Sequence, residues 1–195
     1  DGGFHMVLAA VAEAVDALQP DQSFFVIFYS DAAYPMFHPD RVESLQPATP
    51  QNKQRLRVWL GTVEMCEGGA PGLREAVKIA KGLEVDVIYF LSDGDRFEVQ
   101  KQIMMDADFG RTVVHTFGMQ QNLLDRRTGL PNPKKAIDQR ECNQNLIDIA
   151  LEHGGGFTEV HVPPEAVAME QMRPIPKNDT RGPVWGTRLK APDGN

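Results

Sequence analysis

The residues best placed to do chemistry are Ser92, Asp93 and Asp95, which close the apolar run of the stretch VDVIYFLSDGDR, Val85 to Arg96. Two carboxylates flanking Gly94 offer hard oxygens of the kind Mg²⁺ prefers, and Asp-Gly is also ordinary turn chemistry. What separates these readings is location. Ligands of open parallel α/β sheets bind beyond the carboxyl ends of the strands. A strand ending at Ser92 puts Asp93 at that edge, so Asp93 is the first candidate contact residue. Asp95, Asp31 and Glu67 follow as carboxylates expected near the same rim.

Other chemistry has weaker support. His5, His38, His115, His153 and His161 show no HxxxH or HxH spacing, and His115, inside an apolar run, reads as a hydrogen-bonded sheet residue. No GxSxG elbow, P-loop or GxGxxG is present. Cys66 and Cys142 form neither a CxxC nor a zinc pattern, and Glu67 beside Cys66 works against a thiolate. One enzymatic alternative stands: a hydrolase or phosphotransferase in which Asp93 and Asp95 hold Mg²⁺ against a phosphate. It lacks a phosphate cradle.

The elements that must position Asp93 follow from periodicity. Phe4, Val7, Leu8, Val11, Val15 and Leu18 make one stripe of a helix that stops before Pro20. Ser23–Tyr29 (SFFVIFY) is a strand expected in the same sheet as Val85–Ser92, with Ala33–Phe37 as the return arm of a hairpin turning at Asp31. A loop with three prolines covers 39–50, and a helix runs from Gln51 to about Met65 with Gly61 as its weak point. Glu67-Gly68-Gly69-Ala70 is a turn, and Pro71 opens a helix to Lys81 that Gly82 suits as a cap. Helix Phe97–Phe109, strand Thr112–Phe117, helix Cys142–His153 and strand Phe157–Val162 complete the series. Such alternation predicts right-handed crossovers and a mostly parallel sheet covered on both faces. Two stretches stand outside it. Residues 119–140 read as a polar loop carrying Arg126, Arg127, Lys134 and Lys135, and the proline-rich tail from 163 to 195 reads as a strap or linker.

The chain has 195 residues, 42% hydrophobic and 24% charged, enough for one well-buried core with a tail. Its formal charge of -7 points away from nucleic acid and anionic lipid and toward protein, small-molecule or cation partners. No apolar run reaches membrane-spanning length, and the first residues do not resemble a signal peptide. The chain opens at Asp1 without Met, as a piece of a longer polypeptide would, a membrane-tethered one included. Compartment and oligomeric state are not legible.

Taken in order, PDQSFFVIFYSDAAYPM, EGGAPGLREAVKIA and VIYFLSDGD resemble the von Willebrand factor type A domain across Asp1–Val162. The resemblance implies a three-layer, Rossmann-like α/β/α fold with one antiparallel edge strand, acting as a non-enzymatic protein-binding or scaffolding module. In that family three loops at the sheet's carboxyl edge hold Mg²⁺, which meets a partner's carboxylate. Asp93, with Ser92 beside it, matches the third loop. Ala70 falls where the second loop has threonine, so that hydroxyl is missing. The DxSxS loop and the first central strand would precede Asp1, which makes the domain N-terminally incomplete and its cation site degenerate. Mg²⁺ is then expected only if DxSxS stands upstream, with Asp93 and Ser92 as its ligands here. A protein partner is expected to contact Asp93, Asp95, Ala70 and Asp31.

Overall fold

The computed structural model describes residues 2–30, 32–38, 40–63, 71–92, 97–119, 123 and 130–161. The turn at Glu67–Ala70, the basic pair Arg126 and Arg127, and the tail lie outside these residues. The described chain divides into two compact units, the first running to Ala76 and the second starting at Val77.

The first unit contains α1 (Gly2–Asp16), β1 (Ser23–Phe24), β2 (Ile27–Tyr29), β3 (Ala33–Pro35), β4 (Gln46–Pro47), α2 (Pro50–Leu60) and the opening of α3 (Pro71–Gly82). The stripe expected on α1 does face inward: Leu8 and Val15 are buried, and Phe4, Val11 and Leu18 pack against a core of Phe24, Met36, Leu56 and Trp59. Lys53 Nζ closes the end of this helix region by donating to the carbonyls of Asp16 (2.9 Å) and Leu18 (2.6 Å), while Arg57 pairs with the Asp16 carboxylate. Thr49 caps α2 by accepting from Asn52 N, and Pro50 takes the first helical position, where a missing N–H costs nothing. The helix ends at Leu60 instead of continuing to Met65. Gly61 is its cap rather than a weak interior point.

Ser23–Tyr29 is not one strand of the β5 sheet. Two partners claim its two ends: β1 pairs with β4, and β2 pairs antiparallel with β3, giving separate two-stranded ladders among the described residues. Phe25 and Val26 bridge the two pieces, with the Val26 carbonyl accepting from Met36 N at 2.8 Å.

The second unit holds the rest of α3, β5 (Val87–Ser92), α4 (Phe97–Met105), β6 (Val113–Met119), α5 (Pro133–Glu152) and β7 (Phe157–Val160). Its strands are parallel in the order β5-β6-β7, with Phe90 opposite Thr116 and Ser92 opposite Gly118. Both crossovers advance in the same direction across the sheet, so one handedness of connection carries both helices to one face. That face is dry: Phe90, Ser92, Val114 and Thr116 are buried there, and the Thr116 hydroxyl donates to the Leu146 carbonyl of α5 at 2.8 Å. On the opposite face Tyr89 is 70% and Val87 39% exposed.

Three helix ends differ from the expectation. The helix expected at Cys142 begins at Pro133, because Asn132 caps it by accepting from Lys134 N, and Pro133 takes the first turn. Lys134 and Lys135 are therefore helical, not loop. The α4 helix stops at Met105, although Ala107 and Phe109 beyond it are still buried. At the end of α3 the left-handed residue is Glu84 (φ 50°), two places after Gly82.

Candidate functional site

Asp31, Ala70, Asp93 and Asp95 lie outside the described residues. The segments flanking Asp31 and following Ala70 are described, and they meet within the first unit. At the tip of the β2–β3 hairpin, Ser30 N donates to Ala32 O (3.0 Å), closing the turn around residue 31. The Ser30 carbonyl accepts from Gly72 N at 3.0 Å, and Gly72 is the second residue of α3. The backbones then lie so close that a Cβ on Gly72 would fall 2.2 Å from Ala32 O and 2.7 Å from Ser30 O. One turn further along α3, Glu75 Oε2 accepts from Ala33 N at 3.0 Å. A carboxylate accepting from a backbone amide makes a shorter and stronger bond than a neutral acceptor does. The hairpin tip is thus held to α3 by a backbone bond, a glycine contact and an ionised side chain.

Ser92 closes β5 in the second unit. Its hydroxyl donates to Gln100 Oε1 of α4 at 2.6 Å, and the residue is 5% exposed. Gln100 was legible as a polar residue in register with Ile103, Met104 and Ala107 on the inner stripe of its helix. Its partner was not, because pairing Ser92 with Gln100 needs the crossover geometry. Farther along the sheet, His115 Nδ1 accepts from Gly156 N (3.1 Å) and its ring stacks on Tyr89 (centroids 5.7 Å apart, 19° between planes), as a sheet histidine would.

A Mg²⁺ ion would need a set of hard oxygen donors. The Ser92 oxygen is engaged with Gln100 in the interior, Ala70 has no side-chain oxygen, and among the described residues no three His, Cys, Asp or Glu side chains gather into a metal-holding group. Backbone geometry and one carboxylate, Glu75, are what the described part of the site offers.

No protein-family model matches the chain. Comparison with curated proteins likewise gave no match. Solved structures do match. A von Willebrand factor type A structure from Catenulispora acidiphila superposes on 86% of this chain with a TM-score of 0.50 at 14% identity, and the match takes in 36% of that chain. The present chain therefore spans about a third of the length of that structure. The conserved hypothetical protein BatB from Bacteroides thetaiotaomicron matches 87% of this chain and 85% of its own at 13% identity, with a TM-score of 0.47. An uncharacterized membrane spanning protein from Vibrio fischeri matches 88% of this chain and 85% of its own at 17% identity, with a TM-score of 0.28. In the present chain no helix among the described residues is long and apolar enough to cross a membrane.

Proposed function

We propose that this chain, whose fold is of the von Willebrand factor type A kind, is a non-enzymatic docking module that receives a protein partner on its turns. In the first unit Asp31 supplies a carboxylate and Ala70 an apolar contact, and in the second unit Asp93 and Asp95 supply carboxylates. The observation that carries this reading is the fastening of the hairpin tip to the start of α3 by the Ser30–Gly72 and Ala33–Glu75 bonds. A turn held in place before a partner arrives loses less conformational freedom on binding, which is how a small surface gains affinity. Acidic residues at the rim steer a partner with basic or amide donors and set its orientation more than they add raw affinity. In this reading recognition is direct, carboxylate to partner.

The test is affinity capture from an extract of the source organism, followed by reconstitution with the captured protein. Wild type, Asp31→Ala and Asp93→Ala are compared in Mg²⁺ and in EDTA, each variant first shown to melt as wild type does. Direct docking predicts binding that survives EDTA and weakens at least tenfold in either variant. Binding that both variants retain, or Mg²⁺-dependent turnover of a simple phosphoester lost in Asp93→Ala, refutes it.

A further inference from the structure

The turn that follows β3 is built against the preference of its residues. Pro35 O accepts from His38 N at 3.2 Å, closing a four-residue turn, and the third of the four, Phe37, has φ 66°. A positive φ at that place suits glycine, and for a bulky side chain it is an outlier. Such a conformation persists only where its surroundings over-determine it. Here Met36 is fully buried, and its amide donates to Val26 O at 2.8 Å. The Phe37 ring is buried too, with the Arg55 guanidinium 3.9 Å from its centroid and Trp59 of α2 edge-to-face at 6.2 Å. His38 supplies the last hold: its carbonyl accepts from Trp59 Nε1 at 3.3 Å, and its ring stands perpendicular to that of Tyr34, centroids 5.8 Å apart. Yet the Nδ1 of that ring is buried with no hydrogen-bond partner among the described residues.

We propose that residues 36–38 form an acid-released latch in the first unit: protonated His38 carries an Nδ1–H with no acceptor in its buried seat, so the turn leaves that seat, Phe37 relaxes to negative φ, and the Trp59 indole is uncovered. The charges around the ring favour release. Arg41 on the same loop acts on His38, and Arg55 of α2 lies above the neighbouring Phe37, so an imidazolium adds a third cation. Asp40 is exposed, and the side chains that hold His38, Tyr34 from β3 and Trp59 from α2, bring no carboxylate. Burial and Arg41 keep the closed-turn imidazole below the ordinary histidine range, so the open turn binds the proton more tightly. The closed turn is therefore present in full above 6.5 and is lost as pH falls toward its own, lower pKa. Opening needs no unfolding of the helices, because Lys53 and Arg57 tie α2 to the end of α1 elsewhere. The latch goes beyond the docking reading and does not depend on it.

The full 195-residue chain carries two tryptophans, Trp59 and Trp185, so Trp185→Phe leaves Trp59 as the single reporter. Acrylamide quenching reads access to its indole, and the residue is 9% exposed while the turn is closed. As pH is lowered, quenching of Trp59 should rise several-fold, reversibly, with its midpoint below 6.5 and the rise complete within about two pH units, the width of a one-proton step. The helical circular dichroism signal must hold across that step, and the His38 ring, followed by NMR, must share its midpoint. His38→Gln, which cannot take up the proton, should keep quenching low throughout, and Arg41→Ala should move the midpoint upward. Quenching that stays low while the His38 ring titrates overturns the latch, as does a rise that persists in His38→Gln. A circular dichroism signal that falls in step with quenching also overturns it, since acid then unfolds the unit as a whole. Should His38→Gln fail to fold, the comparison of ring and indole midpoints with His38 intact decides alone.

Discussion

The three consecutive glycines between α5 and β7 carry three different loads, and replacing each by alanine should separate them. Gly154 is the left-handed residue after the helix (φ 69°), so alanine there costs about 1 kcal/mol of backbone strain. Gly155 has no positive φ, but its Cβ would fall 2.0 Å from Val114 O and 2.6 Å from Val114 C, on the central strand of the sheet. Real Cβ contacts stay beyond 3.0 Å, so turn and strand must part by about 1 Å. The Thr116 N to Gly156 O bond (3.0 Å) next to the contact should be strained or lost. Overpacking plus that bond makes the expected cost about 3 kcal/mol. Gly156 meets nothing nearer than His115 Nδ1 at 3.8 Å, an ordinary contact. Alanine there should be neutral or stabilise by about 0.5 kcal/mol through the unfolded chain. Urea unfolding by circular dichroism gives the ranking, and exchange at Thr116 N locates the damage. The reasoning is refuted if Gly155→Ala lies within about 1 kcal/mol of wild type, or if Gly156→Ala is as costly as Gly155→Ala.

Gly82, in the last turn of α3, has open space where a Cβ would go and no left-handed φ. Gly82→Ala should therefore raise stability by about 0.5 kcal/mol, and a lowered thermal midpoint would contradict this. His38 should make the first unit sensitive to acid. Burial and the nearby Arg41 hold its imidazole below the ordinary histidine range, and its Nδ1 is buried without a hydrogen-bond partner among the described residues. The unfolded chain takes up a proton near pH 6.5 while the folded chain waits for a lower pH, so stability is full above that value and declines as pH falls toward the folded pKa. An NMR titration of the His38 ring with urea midpoints at several pH values checks both halves, and Arg41→Ala should move the titration upward. A ring that titrates at or above the ordinary value would contradict the argument.

How far the fold was legible depended on which interactions are local. Helices α1 and α3 and strands β5 to β7 announce themselves through apolar period, which is a property of neighbouring residues. The early start of α5 was legible too, in Asn132-Pro133, but prolines on both sides of Asn132 read more naturally as a stiff loop than as a cap and a first turn. Ser23–Tyr29 failed for a different reason. A serine and six apolar residues specify extended chain without specifying partners, and Gln46–Pro47, with no strand signal of its own, took one end. That α4 and α5 pack side by side came from the direction of the crossovers, which no single stretch encodes. Glu84 at φ 50° has no local signature at all, since glutamate is an unfavourable choice there and Gly82 stood two residues away.

At the candidate site the same division explains why shape and chemistry separate. The bond from Gly72 N to Ser30 O and the approach of Ala32 O to Gly72 are backbone contacts, so they fix where Ser30 and Ala32 lie against the start of α3 whatever side chains the neighbouring residues carry. A hydroxyl at position 70 is a matter of ligand chemistry alone. Ala70 has a methyl there, and the Gly72 contact with Ser30 and Ala32 does not depend on it. Gly72 is thus the residue on which that backbone placement turns, and Gly72→Ala should disturb the tip at Ser30 and Ala32 before it disturbs anything else in the unit.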